Sequence, residues 1–191
     1  FGNRIGIWFQ GCTIHCPDCM AKYTWEFDKK YEMSIQEISE KLRKLKKFKP
    51  DGITISGGEP FDQANGLLNV LKICHELNFR EILVYSGYDF SHLKRKYDDI
   101  LKYIDILISG PFIESLPTSK IWRGSDNQEL SLISEKSMKK YRNRDLDNES
   151  SKKRDLIQFD ISDDTIFIIG IPRRGDLSKL ENQIRKKRVK I

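Results

Sequence analysis

The sequence predicts an α/β fold built on parallel strands, and three observations carry that prediction. Short apolar runs alternate with amphipathic stretches from residue 4 to residue 108, the pattern of strands joined by crossover helices. Each run ends in turn chemistry: Gly11-Cys12, Gly57-Gly58, Ser86-Gly87 and Ser109-Gly110. In a parallel sheet these four turns share the carboxyl edge, where ligands of such sheets bind.

Taken in order, Arg4 to Gln10 ends in apolar bulk and reads as a buried strand that delivers the cysteine loop. Residues 11–33 form a long irregular loop, and long loops inside compact domains are commonly functional. Ser34 opens a helix, with Glu37 completing a capping box and Ile35, Ile38, Leu42 and Leu45 marking one apolar face. Lys41, Arg43, Lys44, Lys46 and Lys47 in its second half complement the helix dipole; a docking patch is the other reading. Asp51-Gly52 turns into a strand over 53–56, and Gly57-Gly58-Glu59-Pro60 comes at once after it. A helix from about Asp62 to Leu77 is next, with Cys74 among its apolar residues as a small buried hydrophobe. Glu81 to Tyr85 is a third strand, Asp89 to Leu101 a helix with Phe90, Leu93 and Tyr97 in phase, and Ile104 to Ile108 a fourth strand. Residues 1–134 make a core domain. Residues 135–155 interleave both charge signs with Asn and Ser and read as a basic, polar linker. Residues 156–191 form an extension: a hairpin around Ser162-Asp163-Asp164, then a helix from about Asp176 with Leu177, Leu180 and Ile184 in phase.

Composition narrows the function classes. The 191 residues suffice for one domain with its own core. Hydrophobic residues are 38% and charged residues 32%, and no apolar run approaches the roughly 18–20 residues that cross a membrane. The opening residues show no secretory leader. The net charge of +6 lies wholly in residues 135–191, with 16 Lys/Arg against 10 Asp/Glu; residues 1–134 hold 18 of each. A basic tail suits nucleic acid or an acidic partner, or simply solvates the chain. The body lacks the basic stripe with interleaved aromatics that nucleic-acid binding wants, so that partner is not expected.

The cysteines carry the chemistry. Cys12, Cys16 and Cys19 fall within eight residues in a C-x3-C-x2-C spacing, while Cys74 stands far away. That is no disulfide framework; thiolates this close serve a metal centre. Structural zinc wants four ligands, and His15 sits awkwardly beside Cys16 to supply the fourth. A four-iron cluster also takes four thiolates, so three leave one iron open to a small molecule. Both metals stay open at this point, with the open cluster favoured. Gly57 and Gly58 allow close backbone approach, and Glu59 with nearby carbonyls could hold a cationic amino group.

Together these residues resemble the radical S-adenosylmethionine superfamily. Within it they are most similar to the activating enzymes of class III anaerobic ribonucleotide reductase. The matching stretches run from residue 4 to about 133 and include Lys22-x-Thr24-Trp25, Ser86-Gly87-Tyr88 and Ile121-Trp122-Arg123-Gly124-Ser125-x-Asn127-Gln128. The resemblance implies a partial (β/α) barrel of parallel strands. It makes Cys12, Cys16 and Cys19 the ligands of a 4Fe-4S cluster whose open iron chelates S-adenosylmethionine. It places Gly57, Gly58, Glu59 and Pro60 along the methionine amino group. Backbone near Asp18, Cys19 and Met20 then meets the adenine, and Ser86 and Gly87 reach the ribose or carboxylate. No side chain is a catalytic acid or base; the cofactors do the chemistry. Trp122 and Arg123 could shape a partner groove, or be a packed aromatic beside a surface arginine.

The implied activity is reductive cleavage of S-adenosylmethionine to a 5′-deoxyadenosyl radical. That radical makes a glycyl radical on a partner anaerobic ribonucleoside-triphosphate reductase, with flavodoxin or ferredoxin as electron donor, in the cytoplasm. The alternatives are a radical enzyme acting on a peptide or a purine-like small molecule and, more remotely, a zinc-binding or nucleic-acid-binding module. Three departures stand out. Ser109 replaces an acidic residue, Asp18 replaces an aromatic common in the superfamily, and residues 135–191 extend beyond the compact enzymes.

Overall fold

Arg4–Phe9 (β1) alternates between two environments, and that alternation sets up the architecture. Ile5, Ile7 and Phe9 pack into the main core, while Gly6 and Trp8 face the other way and are exposed. In the computed structural model the chain divides into two compact units, Phe1–Glu149 and Ser150–Ile191. The structure describes residues 2–149, 158–162, 165–170 and 175–188.

The first unit continues with α1 (Ile35–Lys46), β2 (Gly52–Gly57), α2 (Ala64–Glu76), β3 (Ile82–Ser86), α3 (Phe90–Leu101), β4 (Ile106–Ser109), β5 (Glu129–Leu132) and α4 (Glu135–Tyr141). The sheet order is β1-β2-β3-β4-β5. The first four strands are parallel, with Ile7 opposite Ile55, Ile55 opposite Val84 and Ser86 opposite Ser109. This is the predicted succession of strands and crossover helices. β5 is a correction: it runs antiparallel beside β4, Ile108 opposite Leu130. Its half-buried, mixed residues carry no strong strand signal, and only pairing with β4 makes it a strand.

One sheet face packs on α1, α2 and α3. Ile53, Ile55, Ile82, Val84 and Leu107 meet Leu67, Leu71, Cys74 and Leu93 there, all nearly inaccessible. Each such side chain stabilises the fold by about 1.5–3 kcal/mol through burial. The expected capping box of α1 is present, Ser34 Oγ accepting from Glu37 N while Glu37 accepts from Ser34 N. Of its expected apolar face only Leu42 is buried; Ile35 and Leu45, near the helix ends, are exposed. α2 starts at Ala64, later than expected, because Pro60–Gln63 winds first as a 3-10 turn. α3 kinks at Tyr97, φ −133°, whose ring packs against Phe61 at 5.3 Å.

The opposite face has its own smaller core. Leu83, Ile106 and Ile108 meet Ile121, Tyr141 and Leu146. This corrects the linker expected over 135–155. Residues 135–149 belong to the first unit, because α4 buries Tyr141 against β3 and β4 and Leu146 follows it in. Glu135, Lys136, Lys139 and Lys140 are the solvated side of that short helix, and residues 150–155 of the expected linker lie outside the described residues. In the second unit β6 (Gln158–Ser162) and β7 (Thr165–Ile169) form an antiparallel pair, and α5 spans Asp176–Arg188, where the sequence places a hairpin and a helix.

Candidate functional site

The cysteine loop leaves the carboxyl end of β1 and returns beside itself. Gly11 N donates to Thr24 O at 2.7 Å and Cys12 N to Trp25 O at 2.9 Å. Lys22–Thr24 and Lys29–Tyr31 wind as short 3-10 turns inside the stretch expected to be irregular. Gln10 braces the base: its side-chain amide donates to Tyr23 O and Glu26 O, and its carbonyl accepts from Gln63 Nε2.

The Gly57-Gly58 turn meets this base backbone to backbone. Gly58 N donates to Phe9 O at 2.7 Å and Glu59 N to Gly11 O at 2.8 Å. Gly57 sits at φ +111°, and a Cβ there would overlap the backbone of Phe9. A Cβ on Gly58 would overlap the Gly11 carbonyl and crowd Thr24 O at 2.8 Å. The two glycines are therefore required first by the chain's own close packing.

Cys12, Cys16 and Cys19 are all partly exposed free thiols on this loop, and Cys74 is buried in the core as expected. Cys19 Sγ accepts from Ala21 N at 3.3 Å, and Cys19 N closes a turn onto Cys16 O at 3.0 Å. Burial pushes the Cys12 thiol up, against backbone donors at His15 and Ile14. Three partly sheltered sulfurs, with an N–H donor on Cys19, are the donor chemistry of an iron–sulfur cluster, whose properties such hydrogen bonds tune. Among the described residues no three His, Cys, Asp or Glu side chains converge on a single ion. A cube cluster does not ask for that, because each thiolate binds a different iron. His15 is turned away from a ligand role: at φ +51° it stacks on Trp25, ring centroids 4.5 Å apart.

Glu59 is the buried centre of the edge. Its carboxylate accepts from Phe61 N (2.9 Å), Ser86 Oγ (3.0 Å) and Gly87 N (2.7 Å). Burial pushes its pKa up to about 7 in spite of these donors. Glu59 thus ties the β2 turn to the β3 exit, and the Ser86 hydroxyl and Gly87 amide already have a partner inside the protein. Gly87 is also where the loop packs down, since a Cβ there would lie 2.7 Å from Ile14 Cδ1. Pro60 is buried at the start of the 3-10 turn, and Asp18 and Met20 lie exposed on the outer cysteine loop. Ser109 is buried at the end of β4, its hydroxyl without a hydrogen bond among the described residues.

The stretch over 121–128 has a legible task. Gln128 Oε1 accepts from Gly124 N, and its Nε2 donates to Gly110 O at 3.0 Å. Asn127 Nδ2 donates to Pro111 O at 2.7 Å and Ser125 Oγ accepts from Ile113 N. These contacts fasten the chain leaving β4. Arg123 is not a surface arginine: it is 1% exposed and pairs with Asp147 at 2.7 Å. Trp122 is half-buried at φ +62°, edge-on to Tyr141, and its carbonyl accepts from Tyr85 Oη.

Sequence reasoning missed Thr13, Asp62 and Tyr88. Asp62 reads as a helix start, yet its carboxylate reaches Thr13 N (2.6 Å) and Tyr88 Oη (2.6 Å). No periodicity reveals such a contact across 49 residues. His75 and His92 behave as helix residues, edge-on to Tyr103 and stacked on Tyr88 respectively.

Comparison with known proteins places the chain among iron–sulfur proteins. The family described as "4Fe-4S single cluster domain" matches residues 1–131. The anaerobic ribonucleoside-triphosphate reductase-activating protein of Enterobacteria phage T4 is 31% identical over 134 residues, 68% of this chain and 83% of that protein. Its counterpart from Haemophilus influenzae is 34% identical over 134 residues, 66% of this chain and 86% of that one. The pyruvate formate-lyase-activating enzyme of Clostridium pasteurianum is 33% identical over 113 residues, 56% of this chain and 44% of that enzyme.

Proposed function

The chain belongs to the 4Fe-4S single cluster domain family and is a radical S-adenosylmethionine activating enzyme, and from that premise we propose that its substrate is the glycine loop of a partner anaerobic ribonucleoside-triphosphate reductase. The observation that carries the site is the backbone ladder joining the cysteine loop to the Gly57-Gly58 turn. It joins the base of the cysteine loop to the turn at one sheet edge.

On this reading Cys12, Cys16 and Cys19 hold the 4Fe-4S cluster. Loaded there, a 4Fe-4S cluster would supply the electron for splitting S-adenosylmethionine into methionine and a 5′-deoxyadenosyl radical, which would take a glycine hydrogen. The chain's residues bind and orient. Carbonyls of the Gly57-Gly58-Glu59-Pro60 turn receive the methionine amino group. Backbone at Asp18, Cys19 and Met20 lies along the adenine. Ser86 and Gly87, held by Glu59, wall the ribose and carboxylate side. Gly6, Trp8, Thr54 and Ser56 lie on the half of the sheet face that the second core leaves uncovered. We read that half as the open side of a partial barrel, which the partner closes to exclude water, with Trp122 and the buried Arg123 shaping the groove. Flavodoxin or ferredoxin is our assignment for the electron donor, and the cytoplasm for the compartment. Among the described residues no helix is long and apolar enough to cross a membrane.

The test is anaerobic. Wild type and Cys16→Ala are reconstituted with iron and sulfide, reduced and given S-adenosylmethionine, and 5′-deoxyadenosine and methionine are quantified. Product from the wild type only, followed by a glycyl-radical EPR doublet on the reductase, is expected. Product without that doublet would move the substrate to a peptide or purine-like small molecule. Colourless protein holding zinc would overturn the reading.

A further inference from the structure

We infer that Asp62 and Tyr88 are positioning residues that fix the Cys12 side of the cysteine loop before any cluster is loaded. This rests on the assignment of the three thiols to a cluster. The first amides of the loop are held from two directions. Gly11 N and Cys12 N donate to the loop's own return limb, at Thr24 O and Trp25 O. The next amide, Thr13 N, turns outward and donates to Asp62 Oδ2 at 2.6 Å. Cys12 therefore lies between two anchored amides on separate pieces of chain.

Asp62 is itself held. Tyr88 Oη donates to Asp62 Oδ1 at 2.6 Å and lies 3.2 Å from Thr13 Oγ1, closing a three-residue ring of hydrogen bonds. Tyr88 cannot swing freely. Its ring stacks on His92, its N–H donates to Ser86 Oγ at 3.1 Å, and its carbonyl accepts from Gly110 N at 3.0 Å. One tyrosine thus joins the cysteine loop, the turn after β2, the β3 exit and the β4 exit. Among the described residues the outer cysteines have no equivalent. Cys16 and Cys19 are linked to each other by one turn bond, and Cys19 receives a local amide from Ala21. The loop is pre-organised at Cys12 and adaptable beyond it, so the first sulfur is placed and the other two close around what it holds. Outer partners of metal ligands of this kind are worth about 10–100-fold in metal affinity.

The test compares Asp62→Ala, Tyr88→Phe and the conservative Asp62→Asn, which keeps an acceptor for Thr13 N–H. Two readouts are taken. The first, on cluster-free protein, is hydrogen exchange at the Thr13 amide, with the thermal midpoint as a folding control. The second is iron and sulfide retained per chain after reconstitution and timed exposure to a chelator, together with the EPR spectrum of the reduced protein with and without S-adenosylmethionine. Expected is a folded Asp62→Ala protein with Thr13 deprotected and iron lost about tenfold faster or more, an intermediate Tyr88→Phe, and rescue by Asp62→Asn. Wild-type retention and spectra in Asp62→Ala would overturn the inference. So would equal loss in Asp62→Asn, or a lowered midpoint that accounts for the whole effect, since either assigns the pair to general stability. Wild-type protein that takes up no cluster would overturn the parent reading and this inference with it. Normal cluster retention with no radical on the reductase would overturn only the substrate.

Discussion

Two buried glutamates at opposite ends of the sheet answer pH in opposite senses. Glu59 is pushed from its ordinary 4.5 to about 7 by burial. Below pH 4.5 it is protonated folded and unfolded, and costs nothing. Between pH 4.5 and 7 the unfolded chain releases the proton first, so stability falls by up to about 3 kcal/mol. Glu59→Gln has no such slope. Urea unfolding of the two cluster-free proteins at about pH 5 and about pH 8 should show the variant gaining on wild type as pH rises. For Glu81, burial pushes the pKa up, but Lys140 Nζ (2.7 Å), Arg4 Nη1 (2.7 Å) and Tyr141 Oη (2.9 Å) bring it below the ordinary value. Its stabilisation is present above the ordinary glutamate range and lost as pH falls. Glu81→Ala leaves the half-buried Arg4 without its carboxylate and should cost about 3–5 kcal/mol at neutral pH, read as a drop in unfolding free energy. Gly58→Ala should abolish iron uptake and lower the thermal midpoint, because its Cβ would overlap the Gly11 carbonyl.

At the scale of the element, α4 shows how a short helix is made by its surroundings. Seven residues are too few to hold a helix in water. Ser134 caps it by accepting from Ser137 N and also donates to Asp105 Oδ1 at 2.5 Å. Asp105 in turn accepts from Ile82 N at 2.8 Å, and Ser137 Oγ donates to its carbonyl. Helix, β3 and the entry to β4 are one polar joint above an apolar floor. Ser134→Ala should therefore cost about 1–2 kcal/mol, the range of a lost cap, measured by thermal unfolding. The site should feel this weakly, because the joint sits at the amino end of β3 and the cysteine loop at the carboxyl edge.

For the whole molecule, the division after Glu149 makes a prediction that a division after 134 does not. A chain ending at Glu149 keeps Tyr141 and Leu146 over Leu83, Ile106 and Ile108. It should unfold cooperatively, with a midpoint near that of the first unit in the full chain. A chain ending at 134 exposes that core and strips Lys140 and Tyr141 from Glu81. It should be destabilised by several kcal/mol or aggregate. Differential scanning calorimetry separates the two outcomes.

The sequence by itself determined what local pattern can determine. Apolar periodicity and turn residues located four parallel strands, three crossover helices and the hairpin. The spacing of Cys12, Cys16 and Cys19 together with Gly57-Gly58 marked the candidate site, because ligand sets and tight turns are written in near-consecutive residues. Contacts between distant segments were decided only in three dimensions. Ser34 and Glu37 were legible as a cap at three residues' separation; Asp62 and Thr13 were not at forty-nine. The antiparallel β5, the burial of Arg123 against Asp147 and the inclusion of α4 in the first unit have the same cause. Each depends on which surface is left to be covered once the sheet has formed, and that surface does not exist until distant strands have paired.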